Sequence, residues 1–185
     1  MPTQTALLLI DVQVGLTSGA APVYGAAEVL ARIAELRARA RAAGAPVLYM
    51  QDKDVGGVGS LAWQIDPAVA PADGELVLRK AWADSFYQTA LHDELRARGV
   101  VHLVIAGLKS DACVFMTSTR AVALGYDVTL AADAHSTTDN DVIGAAQASA
   151  YINDLLYGFG AEDGFGQGQH CITVRPAAEI AFGAR

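Results

Sequence analysis

Apolar runs and amphipathic stretches alternate along this chain of 185 residues. Thr5 to Val12 is a near-continuous apolar run, as expected of a strand buried on both faces. Between Ala26 and Ala43, Val29, Leu30, Ile33 and Leu36 recur on one face, while Arg32, Glu35, Arg37, Arg39 and Arg41 mostly lie elsewhere. That spacing predicts a helix, stopped by Gly44. The alternation continues with strands at Pro46 to Met50 and Glu75 to Leu78, a helix from Phe86 to Arg98 and a strand from Val100 to Ala106. A helix then runs from Cys113 to Leu124, followed by a strand at Tyr126 to Ala131, a helix at Ile143 to Leu156 and a strand at Cys171 to Val174. Gln51 to Gly74 is irregular and rich in Gly, Asp and Pro, which predicts a functional or flexible loop. Gly158 to Gly168 is glycine-rich and is expected to be mobile.

Repeated strand–helix–strand units predict one α/β domain over residues 1–185. Its architecture is a three-layer α/β/α sandwich on a mostly parallel, doubly wound sheet. In such sheets the site lies beyond the carboxyl ends of the strands. Asp11, Lys80 and Cys113 each stand at that end of a different strand, so they are the candidate reactive set. Cys113 falls in the first turn of its helix, where free N–H groups and a partial positive charge favour a thiolate. Taken alone it reads as a small buried hydrophobe. Asp11 alone reads as a loop cap and Lys80 as a solvated strand end; the joint placement is what points to chemistry.

Composition narrows the partners. The chain is 52% hydrophobic and 18% charged, with a net charge of −7. Nothing offers the basic footprint that nucleic acid or an anionic membrane needs. No apolar run reaches the length of a membrane span, and the N-terminus lacks the basic region of a signal peptide. Two cysteines far apart in sequence form no disulfide framework, which fits a reducing, cytoplasmic compartment. An apolar excess in so short a chain predicts a homodimer or homotetramer.

The stretches LLLIDVQ, LRKAWADSFYQTALHDELRARGV and HLVIAGLKSDACVFMTSTRAVALGYDVTLAADAHSTTD resemble, in order and spacing, the isochorismatase-like cysteine hydrolase superfamily. Nicotinamidases, N-carbamoylsarcosine amidohydrolases, ureidoacrylate hydrolases and streptothricin hydrolases are among its members. The likeness runs from about residue 5 to the C-terminal AAEIAF. It implies the isochorismatase-like hydrolase fold and a catalytic triad of Asp11, Lys80 and Cys113. It also implies an oxyanion hole from the backbone N–H groups of Lys109 and Cys113, preceded by a cis Leu108–Lys109 peptide. A small residue usually stands where this chain has Lys109. The implied reaction is cleavage of a C–N bond of a small molecule through a Cys113 thioester. Asp11 acts as general base and acid, and Lys80 supports it. An isochorismatase-type vinyl-ether hydrolase is an alternative, although those enzymes do not need the cysteine. A non-hydrolytic reactive-thiol protein is another.

No cofactor is expected. Nicotinamidases carry a metal site of an aspartate and histidines in the loop after the second strand. The equivalent QDKDVGGVGSLAWQIDP has no histidine. Asp52, Asp54 and Asp66 fall in this loop and read as solvated carboxylates, with a weak hard-cation site left open. His92, His102, His135 and His170 are scattered; His135 is close enough in sequence to a strand end to approach the site. Gln13, Gln51, Trp63, Trp82, Phe86 and Phe115 are candidate pocket walls. Core or interface packing is the competing reading of the aromatics. Tyr151 and Asn153 are candidates for serving a neighbouring subunit.

Overall fold

The apolar runs become six strands of one sheet in the order β3-β2-β1-β4-β5-β6. They are β1 (Gln4–Ile10), β2 (Val47–Asp52), β3 (Leu76–Lys80), β4 (Val100–Leu108), β5 (Asp127–Ser136) and β6 (Ile172–Arg175). Every pairing between them is parallel. The computed structural model describes residues 4–160 and 169–183. The stretch expected to be mobile falls largely on residues 161–168, outside the described residues.

Helices cover both faces. The short α1 (Val14–Thr17) follows β1, and α2 (Ala26–Ala42) lays Val29, Ile33, Leu36 and Ala40 against Leu7, Leu9, Val104 and Ala106. On the other face α3 (Leu91–Ala97), α4 (Phe115–Ala123) and α5 (Ala145–Leu156) bury Leu91, Leu95, Ala121, Ile152 and Leu156 against Ala6, Leu8, Leu103 and Ile105. Alternate residues of β1 therefore feed two separate cores, which is why its run is apolar throughout. No helix among the described residues is long and apolar enough to cross a membrane.

Several elements differ from expectation: α1 was not foreseen, and β5 runs on to Ser136, past the expected end at Ala131. The helix predicted from Phe86 starts only at Leu91. Upstream, Asp84 Oδ1 accepts the Phe86 N–H, Thr89 Oγ1 donates to Ser85 O and accepts from Leu91 N, and Gln88 takes a positive φ of 53°. Side chains that bond the local backbone here replace helical hydrogen bonds. Cys113 also lies outside α4, in a wide π-helical turn from Ser110 to Val114 that feeds it.

The chain winds outward from β1 to β3 and then from β4 to β6, so the winding reverses between β1 and β4. In open sheets of this kind that reversal point, beyond the carboxyl ends of the strands, is where the crevice for a ligand forms. Gly107 makes the close approach there possible: a Cβ on it would meet Ile10 O at 2.1 Å, and its φ is 126°. The β4–β5 pairing slips between Ile105 and Gly107, bringing His135 and Ser136 beside Gly107 and Leu108.

Candidate active site

The crevice gathers groups from four strand ends. Asp11 follows β1 with φ 50°, a left-handed conformation that Asp tolerates. Its N–H donates to Met50 O at 3.0 Å and its carbonyl accepts from Gln13 N at 2.8 Å. This tight bend turns the carboxylate into the interior. Lys80 closes β3 and has a fully buried side chain. Its Nζ donates to Asp11 Oδ2 at 2.7 Å, Asp52 Oδ2 at 2.7 Å, Trp82 O at 3.1 Å and Cys113 Sγ at 3.2 Å. The structure thus brings Asp11, Lys80 and Cys113 together around one ammonium, and adds Asp52.

Burial sets the charges. It pushes Asp11 from its ordinary 3.8 up to about 6, against the pull of Lys80. Burial alone would lower Lys80, but Asp11 and Cys113 beside it hold it well above the ordinary lysine value. Burial, reinforced by the Asp11 charge and only partly opposed by Lys80, pushes the Cys113 thiol up to about 12. Burial and the Asp11 charge thus oppose the thiolate that the helix N-terminus was expected to favour, and Cys113 precedes α4 rather than standing in its first turn.

The turn that carries Cys113 is braced from below. Asn153 Nδ2 donates to Ala132 O at 3.0 Å, which leaves its Oδ1 to accept from His135 Nε2 at 2.9 Å. His135 Nδ1 then accepts from Ser110 Oγ at 2.8 Å, and Ser110 Oγ also meets Ser149 Oγ at 3.0 Å. Burial holds His135 below the ordinary histidine value, in keeping with this neutral tautomer. His135 and Asn153 are thus internal supports within one chain, whereas Tyr151 on the same helix is exposed. The Leu108–Lys109 peptide is cis. The Lys109 side chain reaches Thr138 Oγ1 at 3.0 Å.

The expected pocket walls separate into distinct roles. Gln13 is wholly buried: its Nε2 donates to Asp52 O at 3.0 Å and Trp63 O at 2.8 Å, and its Oε1 accepts from Asp52 N at 2.8 Å. Gln51 Nε2 donates to the same Trp63 carbonyl at 2.9 Å. Both glutamines clamp the loop after β2, and the Gln13 amide spends both its N–H groups and its oxygen there. Phe86 stacks on Tyr126 with ring centroids 5.9 Å apart and belongs to the core, which corrects its placement as a wall. Phe115 packs partly buried against that core. Trp63 lies under the Arg79 guanidinium at 4.9 Å. Trp82 is 58% exposed and meets Tyr87 edge-on at 5.3 Å, next to the carbonyl that holds Lys80.

Of the loop aspartates, Asp66 accepts from Thr17 Oγ1 at 2.6 Å and Ala68 N at 2.9 Å, and so ties the loop to α1. Asp54 is exposed. Asp52 departs from the reading of a solvated carboxylate, because it pairs with Lys80. Sequence reasoning missed this pair, yet Asp52 ends β2 as Lys80 ends β3, and that shared position was the available signal. Ligand atoms of Asp11, Asp52 and Cys113 lie within 4.8 Å of one another, a spacing compatible with a metal ion, but Lys80 Nζ contacts all three. A separate cavity of about 310 Å³, against Thr5, His102, Thr129, Arg175 and Glu179, contains none of these groups.

Comparison with known proteins gives the family. The isochorismatase domain model matches residues 5–151. The chain is 39% identical over 155 residues to a streptothricin hydrolase of Streptomyces noursei, covering 78% of this chain and 56% of that protein. It is 32% identical over 156 residues to a ureidoacrylate amidohydrolase of Methylobacterium radiotolerans, covering 63% and 60%. The chain thus spans roughly three fifths of the length of these relatives. A solved isochorismatase structure from Pseudomonas putida superposes with a TM-score of 0.84 at 29% identity, covering 97% of this chain and 93% of that one. The chain belongs to the isochorismatase domain family.

Proposed function

We propose that this chain is a metal-independent cysteine hydrolase that cleaves the C–N bond of a small amide, carbamoyl or ureido compound. The observation that carries this reading is the buried Lys80 ammonium, which touches both Asp11 at 2.7 Å and Cys113 at 3.2 Å. Names of relatives support the class of bond, since they include a streptothricin hydrolase and a ureidoacrylate amidohydrolase.

In this mechanism Cys113 Sγ attacks the carbonyl carbon as its proton passes to Asp11. The carbonyl oxygen becomes an oxyanion held by the backbone N–H groups of Lys109 and Cys113. Collapse breaks the C–N bond, and the leaving amine takes the proton from Asp11. Water then attacks the thioester with Asp11 as base, releasing the acid and restoring the thiol. Lys80 keeps a positive charge beside both partners throughout. That ammonium already contacts Asp11, Asp52 and Cys113 and supplies a positive charge among them, which supports hydrolysis without a metal. The protein acts as a homodimer or homotetramer on a small molecule.

Turnover of nicotinamide, carbamoyl amines, biuret, ureidoacrylate, maleamate and streptothricin, read as ammonia release or, for substituted and cyclic amides, as the mass of the product with one water added, tests the proposal. Turnover of at least one, abolished in Cys113→Ala and unchanged by exhaustive chelation, is expected. Hydrolysis by folded Cys113→Ala, or loss on chelation with recovery on adding Zn²⁺ or Mn²⁺, overturns it. Light scattering that shows a monomer at micromolar concentration overturns the assembly.

A further inference from the structure

We propose that Asp52 is a positioning residue of this site, which competes with Cys113 and Asp11 for the protons of Lys80 and thereby restrains the reactivity of the thiol. An ammonium has three N–H donors. Lys80 Nζ has four acceptors within reach: Asp11 Oδ2 and Asp52 Oδ2 at 2.7 Å, Trp82 O at 3.1 Å and Cys113 Sγ at 3.2 Å. Three N–H groups are therefore shared among four acceptors. Carboxylates accept more strongly than a neutral thiol, so the competition runs against sulfur.

The fold holds Asp52 in this contest. The β2–β3 register sets it directly opposite Lys80. Its backbone is gripped on both sides by the Gln13 amide, at 2.8 and 3.0 Å, and its Oδ1 accepts the Asp54 N–H at 2.8 Å. Its side chain is 16% exposed, so its charge is only partly screened. The titratable groups that touch Lys80 are Asp11 from β1, Asp52 from β2 and Cys113 from the turn after β4. Replacing Asp52 by a neutral isostere turns Lys80 toward the other two. The ammonium that already meets Sγ at 3.2 Å is then shared with one carboxylate fewer, and the thiolate forms more easily.

The role rests on the proposed reactive site, but its test needs no substrate. The rate of Cys113 alkylation by iodoacetamide is measured from pH 6 to 10 in a Cys171→Ala background, with circular dichroism confirming the fold. Asp52→Asn should speed alkylation near pH 7.5 by about tenfold, the effect of one unit in thiol acidity. Asp52→Glu, which returns the charge, should bring the rate back toward that of the parent. Asp54→Asn removes the same formal charge two residues away and should change the rate by less than about twofold. Equal, slower or undetectable labelling in folded Asp52→Asn overturns the proposal. Equal acceleration by Asp54→Asn also overturns it, because the effect would then belong to the loop's overall charge. Loss of the hydrolase reading would leave these rates interpretable.

Discussion

Replacing Lys80 by methionine should strand a buried charge. The methionine keeps most of the aliphatic stem and removes only the ammonium. Asp11 then stays in the interior with a side chain 2% exposed and no cation beside it, while Asp52 at 16% can turn to water. Removing one partner of a buried ion pair costs about 3–5 kcal/mol. For a chain of this size that is roughly 6–20 °C in Tm. The pH dependence carries the sign. The folded value of Asp11 is raised from 3.8 to about 6, so its contribution to stability is greatest below 3.8 and is lost as pH rises through 6. Without Lys80 the folded value climbs further, and the loss extends to higher pH. At pH 5 Asp11 is protonated in the folded state of both proteins, so the cost should shrink by up to about 1.4 kcal/mol relative to pH 7, the most that one proton can contribute over the single pH unit above the parent's value of about 6. Urea unfolding followed by tryptophan fluorescence at pH 7 and pH 5 measures both quantities. Adding Asp11→Asn to Lys80→Met should recover at least half of the loss at pH 7. A cost below about 1 kcal/mol at pH 7, or the same cost at both pH values, would refute the view that Lys80 neutralises a buried carboxylate.

The proposed hydrolysis should lose kcat/KM tenfold per pH unit below about 6, because Asp11 must be ionised to take the thiol proton; a flat profile down to pH 5 would remove Asp11 as the base. Cys113→Ser should lose several orders of magnitude in turnover with its melting curve retained, whereas Cys171→Ala should keep activity. Gly107→Ala should fail to give soluble protein, since its Cβ would lie 2.1 Å from Ile10 O, and a variant with parental Tm would contradict that contact. Gln13→Ala should cost about 3 kcal/mol, roughly one for each of its three buried hydrogen bonds, read by urea unfolding.

Much of the fold was legible as pattern. Strands buried on both faces must be apolar at every position, so β1 and β4 announce themselves as runs, and α2 does so through its 3.6-residue stripe. Parallel strands put their carboxyl ends on one edge, and this made Asp11, Lys80 and Cys113 a candidate set before any coordinates. The family likeness supplied their expected roles. The helix expected from Phe86 failed because Asp84 and Thr89 bond their own backbone, a local competition that hydrophobic spacing does not register.

Sequence by itself determined the periodicities, the reactive residue types and the sheet edge on which they stand. Tertiary structure decided what each group does there. Register across β2 and β3 pairs Asp52 with Lys80, two residues 28 apart that no local pattern connects. The same folding spends Gln13 and Gln51 on a loop and sends Phe86 into the core. It also works against the thiolate expected at Cys113. A thiol's charge depends on the water removed from it and on the carboxylate set beside it, and both come from parts of the chain distant in sequence.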